Sequence, residues 1–338
     1  MFNILSAYGI PSAVVEAIKI MYVDTSALVV TPEGETERFS VNTGVLQGDP
    51  LAPFLFVICL DYVLRQAIPD DTGLTLKRRR SSRHPAEVIA DLDFADDIAL
   101  LEDNLLEAEV LLHKVEKASQ EIGLFLNAPK TKFIHLNSSS NGVVHALDDS
   151  SIDQVEDFKY LGGYTETAHD IAIKVGQAWG AIHALAKVWN SNIKKSTKIQ
   201  VFLTCVQSIL LYSSDSWSLT ATLAKSLDGK YTKMLRRIQN ISWRSHMTNK
   251  SLYGNLPKIS AVIRKKRLAL AGHVMRHNQP ASKLLFWKPE EKRRIGRPRI
   301  TLLDIIVDET ALESNELITA MQDRVVWKNF IMSPTGVG

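Results

Sequence analysis

Residues 88–101 read Val-Ile-Ala-Asp-Leu-Asp-Phe-Ala-Asp-Asp-Ile-Ala-Leu-Leu, and this stretch decides the fold. Apolar residues lie on both sides of Phe94-Ala95-Asp96-Asp97, which predicts two short strands joined by a tight turn. Adjacent carboxylates repel each other unless a cation lies between them, and hard oxygen ligands favour Mg²⁺ over softer metals. A pair of aspartates taken alone is more often a solvated turn, so the case depends on what surrounds it. Asp96 and Asp97 are candidate metal ligands.

Three further motifs accompany the hairpin along the chain. Gln47-Gly48-Asp49-Pro50-Leu51 begins 49 residues before Asp96 and opens an apolar helix that is predicted to run to about Leu64. A glycine there lets the backbone approach a ligand closely, and the Gln47 side chain can hydrogen-bond at the end of that helix. Downstream lie Gly123-Leu124-Phe125-Leu126-Asn127-Ala128-Pro129-Lys130-Thr131-Lys132 and Phe158-Lys159-Tyr160-Leu161-Gly162.

The order of these motifs resembles palm motifs B, C, D and E of the reverse transcriptases of non-LTR (LINE-type) retrotransposons. The resemblance implies RNA-directed DNA polymerisation with two Mg²⁺ ions, an RNA template, a DNA primer and deoxynucleoside triphosphates. In this chemistry a 3′-hydroxyl displaces pyrophosphate at an α-phosphate in line, and the two ions stabilise the developing charge. The implied roles are motif C catalysis and metal binding for Asp96 and Asp97, nucleotide and template contact for Gln47, Gly48 and Lys130, and primer grip for Phe158, Tyr160, Leu161 and Gly162.

The resemblance extends past the palm and sets the expected fold class, α+β. Residues 210–220 are similar to the thumb segment of these elements, and residues 272–276 and 323–327 to their C-terminal signatures. We expect a partial right-hand palm over residues 1–167, built as an antiparallel sheet with helices. An all-α thumb and a basic C-terminal region follow over residues 168–338, because the hydrophobic spacing there is helical.

The charge is divided unevenly along the chain. Residues 225–299 hold 20 Lys or Arg and 3 Asp or Glu, whereas the remainder holds 20 and 34. Such a basic region suits a polyanion better than a merely solvated surface, and it predicts nucleic-acid binding. The candidate contacts are Arg264, Lys265, Lys266, Arg267, Arg294, Arg297 and Arg299. Trp243, Tyr253 and Trp287 are interleaved with the cations and could stack on bases, but we expect each to be buried in the thumb.

Composition excludes several classes of protein. Two cysteines, Cys59 and Cys205, cannot form a disulfide framework or a cysteine-rich zinc module. The N-terminus lacks the features of a signal peptide, and no apolar run is long enough to span a bilayer. We therefore expect an intracellular protein, cytoplasmic or nuclear, without a membrane partner. The oligomeric state is left open.

The first residues resemble the family segment that follows motif A, whose aspartate bridges both metal ions. We therefore expect an N-terminally truncated polymerase that is inactive alone, because one of three carboxylates is missing. Asp49, Asp91 and Asp93 are interpreted as surface or strand-end residues rather than replacements. The alternative is a non-catalytic nucleic-acid-binding remnant of a decayed element.

Overall fold

The computed structural model describes residues 1–81, 83–136, 142–277, 280–287 and 300–333. The chain divides into two units, Met1–Glu156 and Asp157–Gly338. The predicted boundary between residues 167 and 168 remains a prediction about domains, although the division into units falls before the last palm motif. That motif therefore belongs to the helical second unit.

The first unit combines helices with short strands, in keeping with the α+β prediction. Its elements are α1 (Phe2–Ala7), α2 (Ser12–Tyr22), β1 (Ser26–Ala27), β2 (Val30–Thr31), β3 (Gly34–Glu35), β4 (Phe39–Ser40), α3 (Ala52–Ala67), β5 (Leu74–Lys77), β6 (Glu87–Ile89), β7 (Asp91–Phe94), β8 (Asp97–Leu100), α4 (Leu105–Gln120), β9 (Lys132–Phe133), β10 (Val144–His145) and β11 (Ser151–Gln154).

Helices α3 and α4 form the core that supports the predicted catalytic hairpin. Leu60 and Leu64 of α3 pack against Leu111 and Val115 of α4, and Ile98 of β8 packs against the same cluster. The sequence specifies α4 locally, because the Asn104 side chain accepts a hydrogen bond from the Glu107 backbone N–H and so caps the helix. Burial of these apolar side chains is the main force that fixes the hairpin to the helices.

The strands form several small sheets rather than one continuous antiparallel sheet. The pairs β1–β4, β2–β3, β5–β6 and β7–β8 are antiparallel. A three-stranded sheet has the order β10-β11-β9, and its β11–β9 pair is parallel. The β2–β3 pair lies inside the β1–β4 pair, so that residues 26–40 form one hairpin of two nested two-residue ladders.

The second unit begins with a small hairpin and is otherwise helical, as the sequence predicts. Its elements are β12 (Lys159–Tyr160), β13 (Gly163–Tyr164), α5 (Thr167–Ala184), α6 (Ala186–Asn190), α7 (Lys195–Val201), a π-helical segment (Phe202–Gln207), α8 (Ser208–Leu210), α9 (Ala221–Ile238), α10 (Asn249–Tyr253), α11 (Ile259–Arg276), α12 (Pro280–Phe286), α13 (Leu302–Thr310), α14 (Ser314–Gln322) and α15 (Arg324–Met332).

Helix α11 links the two hydrophobic cores of the second unit. Ile259 and Ile263 at its N-terminal end join the core formed by α5 to α10, and Leu268 and Ala271 join the core formed by α13 to α15. Because one helix contributes to both cores, we expect packing changes along it to affect the whole unit. Among the helices that the structure describes, none is both long and apolar enough to cross a membrane.

Candidate functional site

The Asp96-Asp97 pair lies at the tip of the hairpin that the sequence predicts. In the β7–β8 ladder Phe94 pairs with Asp97, so that Ala95 and Asp96 form a two-residue turn. Ala95 has φ +55°, a left-handed conformation that is common at such turns and unusual for alanine. Both aspartate side chains are exposed. The turn therefore presents two hard carboxylates to the solvent on a scaffold fixed to α3 and α4.

A second pair of carboxylates lies on the other face of the same hairpin. Side chains alternate along a strand, and cross-strand partners share a face, so that Asp91 and Asp93 lie with Leu100 and Ile98. Asp97 shares the opposite face with its partner Phe94. The structure therefore directs Asp91 and Asp93 away from Asp97, towards the side that packs on the helices.

The Asp93 carboxyl is the most perturbed acid of this hairpin. Partial burial, followed by hydrogen bonding and repulsion from Asp91 and the charge of Asp61 on α3, raises the pKa of Asp93 to about 7. At neutral pH the Asp93 carboxyl is thus protonated part of the time. Sequence reasoning missed Asp61, because its approach depends on how α3 packs. The sequence does place Asp91 and Asp93 two residues apart, a spacing that indicates two carboxylates on one face of a strand.

The loop before α3 exposes Gln47 and Gly48, while Asp49 has structural partners. Gly48 has φ +93°, a conformation that strains any residue with a Cβ atom. Asp49 accepts hydrogen bonds from the Tyr22 hydroxyl at 2.7 Å and from the Leu51 backbone N–H at 3.0 Å. Burial, followed by this bond to Asp49, raises the pKa of Tyr22. Asp49 thus holds the loop against α2, and Gln47 and Gly48 remain accessible.

The two lysines of the motif after α4 differ in their surroundings. Lys132 donates to Asp153 at 2.6 Å, a salt bridge across the β9–β11 pair. Lys130 is exposed, and its backbone N–H bonds to the Asn127 carbonyl oxygen at 2.9 Å, which shapes the turn before β9. Lys130 therefore carries an accessible charge, whereas the Lys132 charge already has a partner.

The predicted primer-grip segment forms a hairpin in the second unit. Tyr160 pairs with Gly163, and the two turn residues Leu161 and Gly162 have φ +49° and +81°. Two consecutive residues in the left-handed region suit a tight two-residue hairpin turn, in which glycine is favoured. Phe158 lies half-buried just before the first strand of the pair.

Two side chains of the helical core hold this turn by its backbone. The Tyr212 hydroxyl donates to the Leu161 carbonyl oxygen at 2.8 Å, and the Lys174 ammonium donates to the Gly162 carbonyl oxygen at 2.6 Å. The Lys174 ammonium also lies 4.7 Å from the centre of the Tyr212 ring, within cation–π range. A Cβ atom at position 162 would come within 3.0 Å of that ring. The turn is thus clamped from α5 and from the segment after α8.

A network at Asp157 fixes the base of the same hairpin. Its carboxylate accepts hydrogen bonds from Thr165, His169 and the Glu166 backbone N–H. Burial alone would raise the pKa of Asp157, but these hydrogen bonds lower it below the ordinary value. Asp157 therefore stays ionised and joins the hairpin to the start of α5.

The arginines predicted to bind nucleic acid on α11 have internal partners. Arg264 is 7% exposed and donates to the carbonyl oxygens of Glu309, Phe330 and Ser333. Arg267 is 2% exposed and forms a salt bridge with Glu309 at 2.6 Å. The prediction for these two residues is wrong, because helix ends leave carbonyl groups without partners and these arginines satisfy them.

The other cations of this set have different surroundings. The half-buried Lys266 donates to the Leu211 carbonyl oxygen at 2.9 Å, whereas Lys265 is exposed. Arg294, Arg297 and Arg299 lie outside the described residues. Of the four predicted contacts on α11, Lys265 alone keeps an exposed charge for a phosphate.

The C-terminal signatures meet at one packing joint. Gly272 of α11 lies against Trp327 of α15, whose indole N–H donates to the Leu268 carbonyl oxygen at 2.6 Å. Arg276 donates to the Met321 carbonyl oxygen at 2.9 Å, and Asp323 caps α15 through the Val325 and Val326 backbone N–H groups. These motifs therefore hold α11, α14 and α15 together.

Comparison with known proteins gives a consistent result. The family model described as reverse transcriptase (RNA-dependent DNA polymerase) matches residues 1–164. A transposon-derived protein of Caenorhabditis elegans is 24% identical over 261 residues, which cover 71% of this chain and 94% of that protein.

Two longer relatives carry the same resemblance. The retrovirus-related Pol polyprotein from type-1 retrotransposable element R2 of Popillia japonica is 26% identical over 247 residues, covering 70% of this chain and 39% of the polyprotein. The Pol polyprotein from type-2 retrotransposable element R2DM of Drosophila melanogaster is 28% identical over 173 residues, covering 48% of this chain and 15% of the polyprotein. The chain thus spans less than half of these polyproteins.

Proposed function

We propose that the chain supplies palm and thumb parts of a non-LTR retrotransposon RNA-directed DNA polymerase, in agreement with the reverse transcriptase family model that matches residues 1–164. The observation that carries the proposal is the exposed Asp96-Asp97 turn, held on α3 and α4 by the β7–β8 hairpin. Its template is RNA, its primer DNA, and its substrates are deoxynucleoside triphosphates.

Asp96 and Asp97 are the proposed catalytic ligands. Their oxygens suit divalent cations, with Mg²⁺ the proposed ion, and such ions lower the pKa of an attacking hydroxyl and stabilise the leaving group. Within the described ranges no group of three or more His, Cys, Asp and Glu side chains is arranged to hold a metal ion. The two aspartates therefore act with oxygen ligands from elsewhere, such as nucleotide phosphates or a further carboxylate.

The remaining residues bind and orient the substrates. Gln47 and the Gly48 backbone border the nucleotide and template, and the exposed Lys130 charge attracts the triphosphate. The turn at Leu161 and Gly162 holds the primer end, together with Phe158 and Tyr160. The rigid clamp from Tyr212 and Lys174 supports this role, because a reacting hydroxyl must be held within a fraction of an ångström.

Primer extension on an RNA template tests the proposal. It is measured with this chain alone and with the chain joined behind the segment that precedes the matched region in the Popillia japonica polyprotein. We expect Mg²⁺-dependent incorporation by the joined protein and little by the chain alone, since the described residues bring no third carboxylate to the turn.

A joined protein that binds primer–template but incorporates no nucleotide would favour the alternative function, a non-catalytic nucleic-acid-binding remnant. The basic region favours that alternative independently of the hairpin. Salt-dependent binding alone does not separate the two functions, because both release counterions from phosphates.

A further inference from the structure

Trp243 is the most exposed large aromatic side chain among the described residues of the second unit, with 77% of its surface accessible. It lies in a single 3₁₀ turn, Trp243–Ser245, between α9 and α10. The sequence led us to expect a buried thumb aromatic, and that expectation is wrong. The exposed indole contributes none of the hydrophobic stabilisation that a buried indole would give the fold.

The loop that carries Trp243 is anchored at both ends. Ile241 and Met247 pack against the core of the second unit on either side of the tryptophan. Arg236 of α9 donates to the Met247 carbonyl oxygen at 2.8 Å and to the Asn249 side-chain oxygen at 3.0 Å. The loop that exposes the indole is therefore fixed to the rest of the unit at both ends.

Hydrogen bonds inside the turn fix its shape. The Ser242 hydroxyl oxygen accepts from the Arg244 backbone N–H at 3.2 Å, and the Ser245 hydroxyl donates to the Ser242 carbonyl oxygen at 2.7 Å. Because the turn is already ordered, a ligand that binds Trp243 loses little additional conformational entropy.

The chain segment that carries the indole is positively charged. The Arg244 guanidinium lies 5.5 Å from the centre of the Trp243 ring, and Arg237, Arg244 and Lys250 are all exposed. The sequence contains no Asp or Glu between Asp228 and Glu290. An exposed aromatic face among cations fits a ligand that offers flat aromatic rings joined by anionic groups, which describes an unpaired nucleic-acid strand.

We propose that Trp243 is a stacking platform for an unpaired base of single-stranded nucleic acid, and that Arg244 contacts the neighbouring phosphate. The site deepens the proposed function, on which it rests, because it is a single-strand contact distinct from the Asp96-Asp97 turn. Duplex nucleic acid fits less well, because its base faces are covered by their neighbours except at the ends.

The test uses the full chain and fluorescein-labelled twelve-nucleotide oligo(U) RNA and oligo(dT) DNA, with binding followed by anisotropy from low to moderate salt. We expect Trp243→Ala to weaken binding about 5- to 100-fold, which is the range for loss of one stacked base, and Trp243→Phe to retain part of the affinity. The two oligonucleotides show whether the platform prefers RNA or DNA.

The salt dependence separates stacking from charge. The logarithm of the binding constant falls with the logarithm of the salt concentration. Arg244→Gln is expected to make this slope less steep by roughly 0.7, the value for one phosphate contact on a single strand. Trp243→Ala leaves that slope unchanged, because stacking releases no counterions. Leu106→Ala is the matched control, since Leu106 is 76% exposed on α4 of the other unit and should leave affinity unchanged.

Three results would overturn the proposal. Equal affinity of Trp243→Ala and the unmodified chain for single strands refutes the stacking platform and leaves the polymerase proposal intact. A larger effect of Trp243→Ala on an acidic peptide than on either oligonucleotide assigns the loop to a protein partner instead. Failure of the unmodified chain to bind any nucleic acid removes the proposed function itself.

Discussion

Asp93 shows how a single carboxyl makes the hairpin sensitive to pH. Its pKa of about 7 in the folded chain lies well above the value of about 4 for an unfolded aspartate. Between those values the folded state holds a proton that the unfolded state has released. Stability contributed by this group is therefore fully present below pH 4 and declines as the pH rises towards 7.

The substitution Asp93→Asn gives this position a side chain that is neutral at every pH. We expect the melting temperature of Asp93→Asn, relative to that of the unmodified chain, to be higher at pH 8 than at pH 5. Circular dichroism measures both melting temperatures. Asp70→Asn, in the exposed turn after α3, is the control and should show no such gain. A difference between Asp93→Asn and the unmodified chain that is the same at both pH values contradicts the account.

Tyr212 gives a second prediction at this scale, because one hydroxyl joins the helical core to the turn at Leu161. Tyr212→Phe removes that hydroxyl and should cost about 1 kcal/mol of stability. We also expect about fivefold weaker binding of an RNA–DNA primer–template, because the turn loses one of its two backbone contacts.

The matched control for Tyr212→Phe is Tyr253→Phe, which breaks a hydrogen bond between Tyr253 and Thr232 inside the same unit. Calorimetry should show a similar loss of stability for both variants. Only Tyr212→Phe should weaken primer–template binding in an anisotropy titration. Equal affinities for the two variants would show that the clamp has no part in holding the primer.

Among the elements, α11 has the largest effect on the second unit, because it takes part in both hydrophobic cores. Gly272 lies at the point where α11 meets α15. A Cβ atom there would come within 2.2 Å of the Trp327 indole, which is itself fully buried. The glycine is required by close packing of two helices rather than by an unusual backbone conformation.

The same substitution at two helical glycines should therefore have opposite effects. Gly272→Ala is expected to destabilise the chain by about 1–3 kcal/mol through overpacking against Trp327. Gly180→Ala in α5 meets open space and should stabilise by up to about 1 kcal/mol, because alanine favours the helix. Urea unfolding measures both changes. A neutral or stabilising effect of Gly272→Ala would contradict the close packing of Gly272 against Trp327.

The sequence predicts elements better than it predicts the surroundings of single residues. The hairpin at residues 91–100 follows from apolar runs on both sides of two aspartates, and α4 from its spacing and the Asn104 cap. Arg264 and Arg267 were mispredicted, because charge counting cannot show which helix ends supply carbonyl groups to a cation. Trp243 was mispredicted because hydrophobicity does not reveal whether a loop turns its aromatic side chain outward.

At the scale of the whole molecule, the proposed polymerase parts fall on both units. The Asp96-Asp97 turn, Gln47, Gly48 and Lys130 belong to the first unit, while the primer-grip turn belongs to the second. The charge follows a different division, since the strongly basic stretch lies wholly within the second unit. Much of that charge on α11 serves internal helix capping, so exposed cations such as Lys265 and Arg244 are the ones expected to meet nucleic acid.

The chain offers its own control for the central claim. Asp70-Asp71 is a second pair of adjacent aspartates, exposed in the turn between α3 and β5. It has the same local charge as Asp96-Asp97 but does not lie at the tip of the β7–β8 hairpin. A comparison of the two pairs therefore separates a specific catalytic position from a general effect of acidic surface charge.

The most direct measurement is Mg²⁺-dependent primer extension on an RNA template by the protein joined to its relative's preceding segment, with Asp96→Asn compared with Asp70→Asn. The account predicts that Asp96→Asn lowers the extension rate by more than about 100-fold, because metal ligands act directly on the reacting oxygens. Asp70→Asn should extend at the unmodified rate. Equal rates for Asp96→Asn and the unmodified protein would contradict the assignment of this turn as the catalytic centre.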